Sequence, residues 1–187
     1  MSGTLFYLIG ASGSGKDSLL AGCRKRLLPH HRCTVAHRYI TRAADIGGEN
    51  HIQLSEAEFD MRAELGMFAM QWQSHGYRYA IGSEIEQWLA KGINVLVNGS
   101  RAHLAEAIRR YPKLVPVLVE VDASRLRQRL RQRGRESDAE IEQRLAHHAR
   151  LATQLPPQTR RIDNNGRLED AVEALLDIVV SDGWQPG

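Results

Sequence analysis

Residues 10–18 read Gly-Ala-Ser-Gly-Ser-Gly-Lys-Asp-Ser, and an apolar run, Thr4 to Ile9, leads into them. A strand, a glycine-rich turn and the opening of a helix form the context in which G-x-x-x-x-G-K-[ST] binds phosphate. Glycines reach the positive φ angles that let a backbone wrap closely around an anion. The loop amides and the helix N-terminus then turn partial positive charge toward it. Lys16 adds a full charge that can follow a transferred phosphoryl group. Gly10, Ala11, Ser12, Gly13, Ser14, Gly15, Lys16, Asp17 and Ser18 are therefore candidate contacts to a nucleoside triphosphate. One position departs from the pattern. Asp17 stands where Ser or Thr ordinarily ligates Mg²⁺. A carboxylate there repels a triphosphate unless the ion lies between them, which makes Asp17 a candidate metal ligand. The alternative is an acid that merely suits the helix dipole.

The elements that must position these residues alternate apolar strands with helical patterns, the sequence form of an α/β fold with a mainly parallel sheet. The first helix runs from the loop to Leu28 and stops before Pro29. A strand is expected over Cys33 to Tyr39. Ser55 and Glu58 have capping-box spacing for a helix ending near Gly66. Met67 to Gln73 and Tyr77 to Ile81 read as strands joined by Ser74-His75-Gly76. A second capping box, Ser83 to Glu86, opens a helix that Gly92 closes. Strands are expected over Ile93–Val97 and Leu114–Val121, with a helix to Tyr111 between them. An arginine-rich helix runs from Ser124 to Arg133, and a third capping box, Ser137 to Glu140, starts another helix through about Ala152. Arg160 to Asp163 is an expected edge strand and Leu168 to Val180 the closing helix. Residues 37–82 interrupt the alternation as a small mixed insert, and no linker divides the 187 residues, so one domain is expected.

The composition, 42% hydrophobic and 25% charged, is that of a soluble globular protein. No apolar run is long enough to cross a bilayer. Cys23 and Cys33, without CxxC spacing, read as ordinary thiols of a reducing compartment, which points to the cytoplasm. A net charge of +3 does not demand a polyanionic partner. Arg125, Arg127, Arg129, Arg131, Arg133 and Arg135 make one helix strongly basic, but Glu136, Asp138, Glu140 and Glu142 follow at once. That argues against a nucleic-acid stripe. Neither a membrane nor a nucleic acid is an expected partner, and a homodimer stays open.

The order of elements resembles the guanylate-kinase-like branch of the P-loop nucleoside monophosphate kinases over nearly the whole chain. Ile40-Thr41-Arg42 resembles the branch's acceptor-phosphate segment; His51 to Phe59, Tyr79, Arg133-Gly134 and Asn164-Asn165 also fall in recognisable places. The likeness implies a three-layer P-loop fold, an acceptor-binding insert at about 37–82 and a helical lid at about 131–145. Guanine selection looks lost. Met70 occupies the place of the Glu that would accept from the guanine edge, and Asp45 that of a second arginine. The strand that would end in an acid ends in Val97-Asn98-Gly99-Ser100-Arg101. The phrases Gly-Ser-Gly-Lys-Asp-Ser, Ala-His-Arg-Tyr-Ile-Thr-Arg, Gly-Glu-Asn-His-Ile and Val-Asn-Gly-Ser-Arg-Ala-His-Leu are similar instead to those of the ribose 1,5-bisphosphate phosphokinases.

That resemblance implies transfer of a phosphoryl group from ATP, with Mg²⁺, to ribose 1,5-bisphosphate, giving 5-phosphoribosyl 1-diphosphate in phosphonate breakdown. The acceptor is already an anion, so positioning and charge neutralisation are the main tasks. Arg38, Tyr39, Arg42, His51, Tyr79 and Arg101 are the candidate acceptor contacts. Lys16, Arg42, Arg133 and Arg135 are the candidates for neutralising the transition state, with Arg144 as a further lid contributor. Asn164 and Asn165 look like the loop near the adenine. Guanylate kinase is the alternative enzyme. A non-catalytic interaction module of the same fold is disfavoured by the intact Lys16 loop.

Overall fold

The structure, a computed structural model, describes residues 2–44, 48–134, 137–152 and 154–181. Its first strand, β1 (Leu5–Gly10), is apolar throughout because both of its faces are covered. Phe6 and Leu8 point into one core with Leu19 and Cys23 of α1 (Lys16–Arg26). Leu5, Tyr7 and Ile9 point into the other.

The chain continues through a 3-10 turn at Pro29–His31 to β2 (Cys33–Val35), β3 (Arg38–Ile40), β4 (Ile52–Gln53) and α2 (Glu56–Glu64). A hairpin follows, β5 (Phe68–Ser74) and β6 (Tyr77–Gly82), then α3 (Glu84–Ala90), β7 (Asn94–Asn98) and α4 (Leu104–Arg110). The last part holds β8 (Val115–Glu120), α5 (Ala123–Arg133), α6 (Asp138–Ala152), β9 (Arg160–Asp163) and α7 (Leu168–Ser181).

Five strands form a parallel sheet in the order β2-β7-β1-β8-β9, which places β9 at an edge as expected. Its two faces are covered by helices, α1 and α7 on one side and α3 and α4 on the other. Ala171, Val172, Leu175 and Val179 share a face of α7 and close the first core. The expected insert is a separate mixed sheet, β4-β3-β6-β5.

Two local expectations need correction. Cys33 to Tyr39 is two strands in two different sheets. Arg24 reaches from α1 to the carbonyls of Val35 (2.7 Å) and Ala36 (3.0 Å), so the chain leaves the parallel sheet there with its acceptors satisfied. Ser83 is no side-chain cap: its backbone is already helical, and its amide donates to the Met67 carbonyl at 2.9 Å. The boxes at Ser55 and Ser137 behave otherwise. Ser55 Oγ accepts from the Glu58 amide (3.1 Å), and Ser137 and Glu140 cap each other reciprocally.

Candidate functional site

The glycine loop leaves the C-terminal end of β1, and the next strand in the sheet, β7, ends beside it at Asn98. Ligands of open parallel sheets bind at this edge. Gly15 lies at φ +92°, and a Cβ there would stand 2.6 Å from Asn164 Nδ2. Asn164 is buried and donates to the Ser14 carbonyl at 2.7 Å, so it braces the loop from behind. Arg129 adds weaker bonds to the Gly13 and Asn164 carbonyls, at 3.3 and 3.4 Å. On the β7 side, Gly99 packs on the Tyr7 ring, where a Cβ would fall 2.2 Å from a ring carbon. The Tyr7 hydroxyl accepts from the Ser100 amide at 3.0 Å. Burial pushes this phenol up to about 12, so it stays a neutral anchor.

Between the two sheets lies a cleft of about 620 Å³. Its floor is the glycine loop, and Lys16, Arg38, Arg42, Arg101 and Arg144 line it with Asp17 as the acid among the lining residues. Lys16 Nζ donates back to the carbonyls of Gly10 (2.9 Å) and Ala11 (3.1 Å). Burial, partly offset by the Asp17 charge, lowers the ammonium to about 8. Ser14 Oγ is buried without a hydrogen-bond partner among the described residues, as is Arg42 Nε. Trp72 and Tyr79 stack nearly parallel, 5.7 Å between centroids, and Arg38 lies over the Tyr79 ring at 4.9 Å.

A residue that sequence reasoning missed organises the Arg38–Arg42 side of the cleft. Glu49, its side chain 7% exposed, accepts from Arg38 Nε (2.6 Å) and Nη2 (2.5 Å) and from Arg42 Nη2 (3.2 Å). Asn98 Nδ2 reaches the same carboxylate at 3.3 Å and Asp17 Oδ1 at 2.9 Å. Burial alone would raise the Glu49 carboxyl; the hydrogen bonds and charge of Arg38, with Arg42 and Asn98, outweigh it and hold it below its ordinary value. Its only sequence signal was its place in the phrase Gly-Glu-Asn-His-Ile.

The structure brings Arg38, Arg42, Tyr79 and Arg101 to the cleft with the loop, whereas Ala11, Ser14, Tyr39, His51, Asn164 and Asn165 are not among the residues that line it. The Tyr39 hydroxyl bonds Glu84 at 3.3 Å, and its ring packs on Phe68 away from the cleft. His51 is buried with its ring nitrogens 3.0 and 2.9 Å from the carbonyls of Glu49 and Arg42, so it ties the backbone at those two residues together. Asn164 braces the loop as described. Asn165 bonds Asp122 and Asp163. Arg135, Asp45 and the Arg133 side chain lie outside the described residues.

The cradle fits a triphosphate: Gly10, Ser12, Gly13, Gly15, Lys16 and Ser18 all line the cleft, with the Lys16 ammonium among them. A divalent cation fits more sparsely. Among the described residues no cluster of three or more His, Cys, Asp or Glu is gathered, so an ion would rest on Asp17 and on phosphate oxygens.

No protein-family model matches the chain. Proteins named ribose 1,5-bisphosphate phosphokinase PhnN do. The one from Desulfomicrobium baculatum is 50% identical over 176 residues, covering 94% of each chain. That from Pantoea vagans is 53% identical, covering 94% of this chain and 96% of its own. That from Dickeya zeae is 51% identical over 185 residues, covering 97% of each. The guanylate kinase of Anaplasma phagocytophilum superposes with a TM-score of 0.73 over 98% of this chain and 88% of its own; at 16% identity this speaks for the fold alone. With half its residues shared along nearly its whole length, the chain belongs to the ribose 1,5-bisphosphate phosphokinase family.

Proposed function

We propose that this protein transfers the γ-phosphoryl group of ATP to the 1-phosphate of ribose 1,5-bisphosphate, giving 5-phosphoribosyl 1-diphosphate and ADP in phosphonate catabolism. A phosphate oxygen of the acceptor forms the new P–O bond as the bond between the γ-phosphorus and its bridging oxygen breaks. The nucleophile is anionic at neutral pH, so no side chain has to remove a proton. The chain's work is to bring two polyanions together and neutralise them.

The observation that carries this reading is the shared cleft: five cationic side chains surround one space whose floor is the glycine loop. Lys16 and the loop amides hold the nucleotide phosphates. Arg38 and Arg42, preset by Glu49, grip an acceptor phosphate, and Arg101 at the β7 end neutralises the other side. The faces of Trp72 and Tyr79 provide a flat wall for the sugar. Asp17 holds Mg²⁺, which when bound neutralises charge on the transferring group. Arg133 and Arg135 complete the neutralisation, the role their place in the family resemblance implies. The two free cysteines, Cys23 and Cys33, suit a reducing compartment, which supports a cytoplasmic enzyme.

Guanylate kinase is the competing reading, and Met70 speaks against it. It is 4% exposed, packed among Ala69, Ile81 and Ile85, and gives a guanine edge no acceptor. Incubation with ATP, Mg²⁺ and either ribose 1,5-bisphosphate or GMP separates the two. The expected product is 5-phosphoribosyl 1-diphosphate, with GMP left unphosphorylated; rapid conversion of GMP and none of the bisphosphate would overturn the reading.

A further inference from the structure

Two positions in this cleft carry chemistry opposite to the ordinary P-loop arrangement. The residue after the loop lysine is usually a hydroxyl, and an acid elsewhere in the site shares the metal ion with it. Here the first is Asp17, and the strand beside β1 ends in the neutral amide Asn98. Though 81 positions apart in the sequence, the two touch: Asn98 Nδ2 donates to Asp17 Oδ1 at 2.9 Å.

We propose that Asp17 and Asn98 are a reciprocal exchange. The acid stands on the helix instead of the strand, and its neutral hydrogen-bond partner stands on the strand instead of the helix. Asp17 is then the metal-facing carboxylate of this enzyme and Asn98 the positioning residue that aims it. The inference rests on the nucleotide-binding half of the reading above.

Charge explains why the two substitutions belong together. Asn98 is 2% exposed and its amide reaches two carboxylates, Asp17 and Glu49. An acid at position 98 alone would gather three carboxylates within hydrogen-bond range, each raising the others' proton affinity and loosening the Arg38–Glu49 pair. A hydroxyl at position 17 alone would leave neither position with a carboxylate for the ion. The P-loop pattern by itself suggests that Asp17→Ser restores the ordinary arrangement and keeps substantial activity. The Asn98 contact predicts instead that it costs metal affinity unless the acid is returned to the strand.

The test is a Mg²⁺ titration of non-hydrolysable ATP-analogue binding, with EDTA as the zero point, for wild type, D17S, N98A, N98D and D17S/N98D. Thermal melts accompany each variant. D17S and N98A should each need about tenfold or more Mg²⁺ for half-maximal binding, the scale of one lost bond to a charged group. N98D should bind weakly or melt early. The double variant should return to within about threefold of wild type, more than independent effects would allow. A double variant no better than the worse single one, or one that fails to fold, overturns the exchange. So does an N98A curve that superimposes on wild type, which needs no charge change to interpret. No acceptor is present in the measurement, so failure of the acceptor assignment leaves it intact, whereas a wild type without Mg²⁺-dependent nucleotide binding overturns both readings.

Discussion

Lys16 shows at the residue scale how a binding site reads out its own burial. The Lys16 ammonium donates to the carbonyls of Gly10 and Ala11, and burial, partly offset by the Asp17 charge, lowers it to about 8. A triphosphate reverses that by surrounding the ammonium with anionic oxygens, so binding takes up a proton wherever the free enzyme has lost one. The sign follows: nucleotide affinity is full below about pH 8 and falls above it, by about tenfold per pH unit. Arginines stay charged throughout this range, so they cannot produce the same profile. Calorimetric titration of a non-hydrolysable ATP analogue at pH 7 and pH 9.5 checks it. Wild type should weaken strongly with rising pH, and Lys16→Ala should bind weakly at both. A flat wild-type profile would mean that Lys16 does not carry the phosphate contact.

Among the elements, the α5–α6 pair is joined to the loop mainly by apolar contacts, with one weak hydrogen bond from Arg129 to the Gly13 carbonyl (3.3 Å). Leu126, Leu130, Ile141 and Leu145 form a small core of their own with Ala11. Two of the arginines around them pair with acids of the next helix: Arg127 with Glu142 at 2.5 Å, and Arg131 with Asp138 at 2.8 Å. These are exposed pairs and contribute little to stability, but each sets an acid of α6 against an arginine of α5. Leu130→Ala should therefore destabilise by about 2–3 kcal/mol, the low end for a buried leucine because this core is small. It should also raise the KM for ATP more than that for the acceptor. Urea unfolding and steady-state kinetics measure the two effects. Equal changes in both KM values would show that these helices do not seat specifically on the nucleotide loop.

The whole molecule sets its two sheets on either side of the cleft, so a ligand in it ties both sheets together. Nucleotide and acceptor analogue should stabilise one cooperative unit. At about one hundred times its Kd, a ligand adds about 2.7 kcal/mol. For a chain of this size that raises Tm by roughly 5–10 °C. Calorimetry should show one transition moving as a whole. Two transitions, with only one shifted by nucleotide, would mean that the insert unfolds as a separate domain.

What the sequence alone determined is what short stretches determine. The six-residue apolar run, the glycine spacing and Lys16 specify the strand, turn and helix of the phosphate loop within 20 residues. The alternation of apolar runs and helical patterns specifies the parallel sheet, because burial on both faces leaves its mark on each strand separately. Local pattern failed at Cys33–Tyr39, where one extended run serves two sheets, and at Ser83, where the right residue types lack the capping geometry. The tertiary structure decided the partners. Glu49 opposite Arg38, Asn98 on Asp17 and Asn164 beneath Ser14 depend on which strands and turns the fold sets side by side. Tyr39 and His51 carry suitable chemistry in the right segment, yet they turn away because the pleat claims Tyr39 and the carbonyls of Arg42 and Glu49 claim His51. A residue's type is local, but the field it meets is summed over neighbours brought from 11, 81 and 150 positions away, and only the folded chain fixes those distances.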